Sequence, residues 1–155
     1  MRKLSFAVFV LLLGSVMIVH AADNYVGVWA LNVAKSKYSP GPPAKSQTTK
    51  LDTVSGGGLR EIGDRTNADG SKTHWEFTAK YDGKDYPVTG DPDRDTVALK
   101  RVDDNTLEVV NKKAGKVTNR MTILVAKDGK SRTNTATGTN AKGVAINNVL
   151  FFDRQ

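Results

Sequence analysis

The sequence contains no cysteine and only two histidines. Without cysteine there are no disulfides and no thiolate metal sites, so the domain must be held by its core and its backbone hydrogen bonds. His20 falls in the N-terminal segment described next, which leaves His74 as the single histidine of the remaining chain. A lone histidine without a nucleophile motif gives no support to a metal centre or a catalytic triad. We therefore expect no catalytic residue, no metal and no cofactor, with His74 exposed on a strand.

Long hydrophobic runs are also scarce, since the sequence has one, at 4–19. Arg2 and Lys3 precede this run, and small residues end it at Ala21 and Ala22. A positive start, an apolar middle and a small-residue site form the layout of a secretory signal peptide. An uncleaved membrane anchor is the alternative, but the run is short for a bilayer span and ends in a cleavage site. We predict cleavage after Ala21 or Ala22.

These features divide the chain into a signal peptide at 1–21 and one domain at 22–155. The domain is expected in the periplasm or outside the cell, without a transmembrane span and as a monomer. The formal net charge is +7, but lysines and arginines are spread along the chain rather than collected in a block. Nucleic-acid binding favours a basic stripe with interleaved aromatic residues, which is missing. We expect no nucleic-acid partner, and only weak contact with an anionic envelope surface stays open.

Sequence patterns typical of helices are nearly absent after the predicted signal peptide. No stretch keeps a period near 3.6, while short alternating runs are separated by turn sequences such as Asp82-Gly83 and Asp128-Gly129. The runs predict about ten strands, at 25–32, 46–54, 59–66, 72–81, 84–89, 96–102, 106–112, 116–127, 131–139 and 144–153. The proline-rich stretch at 33–44 is predicted to be a connector, because proline opposes both helix and central strand.

Short connections between consecutive strands favour antiparallel, up-and-down pairing. A sheet of this size most simply removes its edges by closing on itself. The fold class predicted is therefore all-β, an antiparallel meander of about 8–10 strands closed into a barrel, with little helix outside the signal peptide. A two-sheet sandwich is the alternative, but it needs longer crossing connections than the single one at 33–44.

Alternation along the strands identifies which side chains face inward. The candidate ligand-binding residues are those of the more apolar faces, namely Trp75, Phe77, Tyr81, Leu99, Arg101, Met121 and Ile123, with Val117 on the same face as Met121. Arg101 could meet a ligand carboxylate, or it could reach solvent or pair with Asp103. The strand at 131–139 has almost no large apolar residue. Such polar strands indicate either an incompletely closed barrel or a partly wet internal cavity.

Several short motifs along the domain carry a resemblance to a known protein family. Gly27-Val28-Trp29 on the first strand resembles the Gly-x-Trp that opens the lipocalin and fatty-acid-binding superfamily, in which the tryptophan closes one barrel end. Together with the segments 27–32, 34–37, 81–87 and 127–130, the chain is similar to small exported bacterial lipocalin-like proteins of uncharacterised function. The resemblance implies a barrel with Gly27 and Trp29 in structural roles. It departs from fatty-acid-binding proteins in lacking two helices after the first strand and an Arg-x-Tyr on the last. It also lacks the disulfides of most secreted lipocalins.

The acidic segment 91–95 could suggest calcium through clustered carboxylates, but no EF-hand register with a final glutamate follows, so an acidic proline turn is the favoured interpretation. The function predicted is an exported barrel that holds an apolar or amphipathic molecule without covalent chemistry. The alternative is an envelope-associated interaction module with no internal ligand. An enzyme is the least supported hypothesis, since it would require a convergent cluster around His74.

Overall fold

The chain forms a closed antiparallel barrel. A computed structural model describes residues 23–140 and 142–155, so the signal peptide predicted at 1–21 lies outside the described residues. The ten strands are β1 (Gly27–Leu31), β2 (Ser46–Thr53), β3 (Gly58–Thr66), β4 (Lys72–Lys80), β5 (Tyr86–Thr89), β6 (Thr96–Arg101), β7 (Thr106–Lys113), β8 (Lys116–Val125), β9 (Ser131–Thr139) and β10 (Ala145–Arg154). Each strand pairs with the next, and β1 also pairs with β10. The predicted all-β meander closed into a barrel is confirmed.

Closure depends on the pairing of the first and last strands. Trp29 lies opposite Arg154 and Leu31 opposite Phe152, so the described sheet has no free edge at this junction. The closed strand order excludes the sandwich and the incompletely closed barrel. The one long connection, between β1 and β2, begins with a 3-10 turn at Val33–Lys35 that the Asn32 side chain caps.

Apolar side chains fill one half of the barrel. On β4, Trp75, Phe77 and Ala79 are buried while the residues between them are exposed, as the alternation predicts. Leu99 of β6 and Leu107 of β7 meet them in a single core. The other members of this core are Tyr25, Trp29, Leu51, Leu59, Val88, Val97, Val109, Ile123, Val125 and Phe152.

The inward face of β8 differs from the prediction at its first residues. Val117 was expected to share a face with Met121 and Ile123, yet its side chain is 45% exposed, whereas Thr118 is buried. A β-bulge shifts the register so that Asn119 pairs with Asn111 but Val117 pairs with Lys112. The extra residue in a bulge reverses the alternation beyond it, which turns Val117 outward.

Trp29 and Arg154 seal the closed end of the barrel. Trp29 is fully buried, donates its Nε1 hydrogen to the Tyr25 carbonyl at 2.9 Å, and lies under the Arg154 guanidinium, 4.2 Å from its Cζ atom to the ring centroid. Arg154 also donates to the carbonyls of Asn24, Val26 and Gly129. Gly27 has φ +133°, and a Cβ there would lie 2.7 Å from Arg154 Nη1. Within the Gly-x-Trp sequence, Gly27 thus leaves space for the Arg154 side chain, and Trp29 supplies the ring on which the guanidinium rests.

A second cluster at this end joins the N-terminal segment to the loop after β6. Tyr81 donates its hydroxyl hydrogen to Asp23 Oδ2 at 2.8 Å, and Tyr25 donates to the Asp103 carbonyl at 3.1 Å. Arg101 lies between the two tyrosine rings, with its Cζ atom 5.6 Å from Tyr25 and 5.7 Å from Tyr81. Its Nη1 atom lies 3.5 Å from Asp23 Oδ2. This cluster fastens the start of the described chain to the barrel.

The two tyrosines of this cluster predict a loss of stability at alkaline pH. Burial raises the pKa of Tyr25 and of Tyr81 well above the usual value of 10.0, and the hydrogen bond to Asp23 raises that of Tyr81 further. Well below pH 10 both phenols are neutral in the folded and in the unfolded protein. As the pH rises through 10, the phenols of the unfolded chain ionise first, because their pKa values are the lower ones. The stability they provide is therefore lost as the pH rises toward their folded pKa values. We expect the urea midpoint of Tyr81→Phe to fall less steeply than that of the wild type above pH 10. Equal slopes would contradict this role for Tyr81.

Candidate functional site

The end of the barrel opposite Trp29 contains a partly open cavity of about 590 Å³. Apolar residues such as Trp75, Met121 and Leu150 contribute to its wall, and so do the buried polar residues Arg94 and Arg132. This volume falls in the range of about 300–1,000 Å³ that small-molecule sites occupy. The barrel is therefore dry in one half and partly polar in the other, which matches the wet-cavity alternative.

The connector between β1 and β2 runs along β10 and reaches the cavity. Lys37 forms a bridge with Val149, and the Asn147 backbone N–H donates to the Ser39 carbonyl at 2.7 Å. Tyr38 and Pro42 then line the cavity. Where the fatty-acid-binding proteins of the resemblance insert two helices, this chain borders its cavity with a proline-rich segment.

Arg94 is a buried cation whose polar partners surround it. It comes from the loop between β5 and β6, with its Nε atom 2.9 Å from Asp91 Oδ2 and its Nη2 atom 3.6 Å from Glu61 Oε1. Its Nη1 atom donates to Asn111 Oδ1 at 2.9 Å, and Asn111 donates in turn to Asn119 at 2.7 Å. Two carboxylates and an amide thus compensate this charge, as a buried ion requires.

Trp75 lies flat on the wall because β3 offers a glycine opposite it. Gly63 pairs with Trp75, and a Cβ at this position would lie 2.1 Å from the indole. The Trp75 Nε1 hydrogen is donated to Glu61 Oε1 at 2.7 Å. The glycine therefore sets the position of the ring, and the hydrogen bond fixes its edge against the same carboxylate that contacts Arg94.

Arg132 is the second buried cation, and it is far less well satisfied. The residue is 2% exposed, and its Nη2 atom donates to Thr49 Oγ1 at 2.6 Å. Its Cζ atom lies 4.7 Å from the Phe152 ring centroid and 5.1 Å from that of Trp29. Neither Nε nor Nη1 has a hydrogen-bond partner among the described residues. Burial lowers the pKa of Arg132 to about 10, which still leaves the group charged at neutral pH.

Two further buried polar atoms lack partners within the described part of the chain. They are the Oδ1 atom of Asn134, two residues after Arg132 on the same inward face of β9, and the hydroxyl oxygen of Tyr38 in the connector. Both residues line the cavity. Unsatisfied buried polar atoms are uncommon in proteins, and here they border one space.

The structure separates the seven predicted ligand-binding residues into three groups. Trp75 and Met121 line the cavity. The remaining five lie elsewhere: Phe77, Leu99 and Ile123 pack in the dry core, and Tyr81 and Arg101 belong to the closed-end cluster. Large apolar side chains on neighbouring strands fill the barrel completely where they face each other, so the most apolar stretches form core rather than cavity wall. Arg101 forms ion pairs, but with Asp23 and Asp104; Asp103, the partner considered from the sequence, accepts from it only through its backbone carbonyl.

Arg94, Arg132 and Asn134 are cavity residues that were not predicted from the sequence. The available signal was the alternation of β9, which places Arg132, Asn134 and Ala136 on one face. In a closed barrel one face of every strand must point inward, so a strand without large apolar residues brings its polar side chains inside. Arg94 gives no comparable signal, because a loop has no periodicity.

The remaining motif residues lie outside this arrangement or take part in turns. His74 is exposed, with its Nδ1 atom 2.8 Å from Asp64 Oδ1 on β3. In the acidic segment, Asp91 accepts from the Asp93 backbone N–H as well as from Arg94, and Asp95 accepts from the Ala114 backbone N–H at 2.8 Å. No group of three or more metal-binding side chains occurs in the described ranges. The acidic segment is thus a turn that delivers Arg94 to the cavity.

Among residues 23–140 and 142–155, no helix has the length and apolar character needed to cross a bilayer. A scan against protein-family models finds no match, and a search of curated proteins finds no significant relative. The closed barrel of ten antiparallel strands is consistent with a lipocalin-like, or calycin, fold.

Proposed function

We propose that this protein is an exported binding protein that holds one small amphipathic molecule in its cavity and performs no covalent chemistry on it. The observation that supports the proposal is the division of the barrel into a half packed with apolar side chains and a half that contains a partly open cavity of about 590 Å³. A barrel built only for stability would fill both halves with side chains.

The cavity wall matches an amphipathic ligand better than a purely apolar one. Trp75, Met121 and Leu150 offer apolar contact, while Arg132 and Asn134 present polar atoms that have no partner among the described residues. Binding would remove apolar surface from water and let a few polar groups set the orientation of the ligand. The export part of the proposal depends on the signal sequence at 1–21.

The proposal predicts saturable binding that is lost when the cavity is filled. Ala136 faces inward on β9 and lines the cavity, whereas Thr137 is the next residue and is exposed. We expect the delipidated protein to bind one equivalent of a naphthyl fluorophore, either N-phenylnaphthylamine or anilinonaphthalenesulfonate. Ala136→Phe should weaken this binding by about tenfold or more, because the ring would occupy the ligand's space.

Thr137→Phe is the matched control, since it adds the same ring to the outside of the same strand and should leave binding unchanged. Native mass spectrometry of protein taken gently from its own compartment should show a small molecule that Ala136→Phe does not retain. An apo mass together with no saturable binding of either probe would overturn the proposal, and the envelope-associated interaction module would then be the leading hypothesis.

A further inference from the structure

We infer that the ligand of the proposed cavity site is an organic acid whose anionic group rests on the guanidinium of Arg132. This inference depends on the binding function proposed above and adds to it the chemical class of the ligand and its orientation. The anion would enter first, and the apolar part of the molecule would lie nearer the mouth.

The first observation is the contrast between the two buried arginines. Arg94 has Asp91, Glu61 and Asn111 as partners, so nothing further is needed to compensate its charge. Arg132 is more deeply buried and forms no ion pair with any acid in the described ranges; the charge of Glu61 acts on it only from beyond ion-pair distance, and its single hydrogen bond goes to Thr49. An unpaired buried cation is costly, and such cost is concentrated at functional sites.

The second observation is where Arg132 lies. Its strand neighbours are Phe152 on β10 and Val125 on β8, both buried in the core, and its side chain reaches across to Thr49 on β2. It therefore spans the boundary between the dry core and the cavity. One step further along β9, Asn134 pairs with Leu150, and beyond it Ala136 pairs with Met121. Beyond Arg132 the wall thus offers apolar contact from Leu150, Ala136 and Met121 among other, polar lining residues.

The third observation concerns the donors themselves. The Nε atom of Arg132 carries one hydrogen and the Nη1 atom carries two, and neither atom has an acceptor among the described residues. An oxyanion supplies several acceptor positions at once, and charge-assisted bonds of this kind are strong. The Oδ1 atom of Asn134 is an acceptor, so a hydroxyl or amine of the ligand, close to its acid group, would supply the matching donor.

A matched pair of probes tests the inference. Anilinonaphthalenesulfonate and N-phenylnaphthylamine share one aromatic skeleton and differ in the sulfonate. We expect the wild type to bind the sulfonate at least about tenfold more tightly, since a charge-assisted hydrogen bond to a buried guanidinium is worth that much. Arg132→Met should abolish this preference and leave the affinity for the neutral probe within about twofold.

Arg120→Met is the matched control, because it removes the same charge from the exposed outer face of the neighbouring strand β8 and should keep the preference. Arg132→Lys retains the charge and should retain part of the preference, which separates loss of the anion site from general damage to the fold. Displacement of the bound sulfonate by naphthoate or by naphthyl phosphate, but not by naphthol, would support the inference and identify the acid group.

Three results would overturn the inference. Equal affinity of the wild type for the two probes, a preference that survives in Arg132→Met, or displacement by naphthol as effective as by the acids would each show that the anion is not recognised. In these cases the proposed binding function would stand, because the neutral probe still binds saturably. If neither probe binds saturably to the wild type, the proposed function fails and the inference fails with it.

Discussion

Replacing Trp29 with alanine is expected to lower the free energy of unfolding by about 3–5 kcal/mol, the usual cost of removing a fully buried large aromatic side chain. The ring fills the closed end, donates to the Tyr25 carbonyl and lies against the guanidinium of Arg154. Without it, Arg154 loses the surface that positions its bonds to the N-terminal segment and to the β8–β9 turn. Urea unfolding followed by far-ultraviolet circular dichroism would measure the change as a lower midpoint.

Trp29→Phe is the graded control for this prediction. It keeps a ring under Arg154 but removes the Nε1 donor, so we expect a loss of about 1–2 kcal/mol from the missing hydrogen bond and the reduced volume. If Trp29→Ala shifted the midpoint no more than Trp29→Phe, the closed end would not depend on the filled volume.

The two buried arginines are expected to respond to methionine substitution in opposite directions. Arg94→Met should destabilise the barrel by about 3–5 kcal/mol, because Asp91 and Glu61 would remain buried without their cation. Arg132→Met should stabilise the ligand-free protein by about 1 kcal/mol, because it removes buried donors that have no acceptor among the described residues, at the cost of one hydrogen bond to Thr49. Methionine preserves much of the apolar contact with Trp29 and Phe152.

Parallel thermal and urea unfolding of the two variants at neutral pH would test this difference in sign. Arg120→Met again serves as the exposed reference, with a change expected within about 0.5 kcal/mol. Equal destabilisation by Arg94→Met and Arg132→Met would show that Arg132 supports the fold as Arg94 does. A gain in stability together with a loss of anion affinity is instead the pattern expected of a binding residue that is retained at a cost to stability.

The polar cavity could not be located from the sequence because burial inside a barrel depends on the neighbouring strands. The apolar faces at Phe77, Leu99 and Ile123 were correctly assigned inward, yet they lie opposite one another and fill the space between them. Space remains where β9 presents Arg132, Asn134 and Ala136, whose polarity gave no local indication of an inward position.

The number of strands and their boundaries to within a few residues could be predicted from the sequence, which favoured closure of the meander but left a sandwich or an incompletely closed barrel open. Turn residues and two-residue alternation are local properties, and short connections leave consecutive strands little choice but to pair. The outward position of Val117 beside a bulge and the entry of Arg94 into the barrel from an acidic turn are visible only in the folded structure. The same holds for the burial of Arg132 with two nitrogens that have no partner in the described part of the chain. These outcomes depend on side chains brought together across several strands, so no single stretch of the sequence contains them.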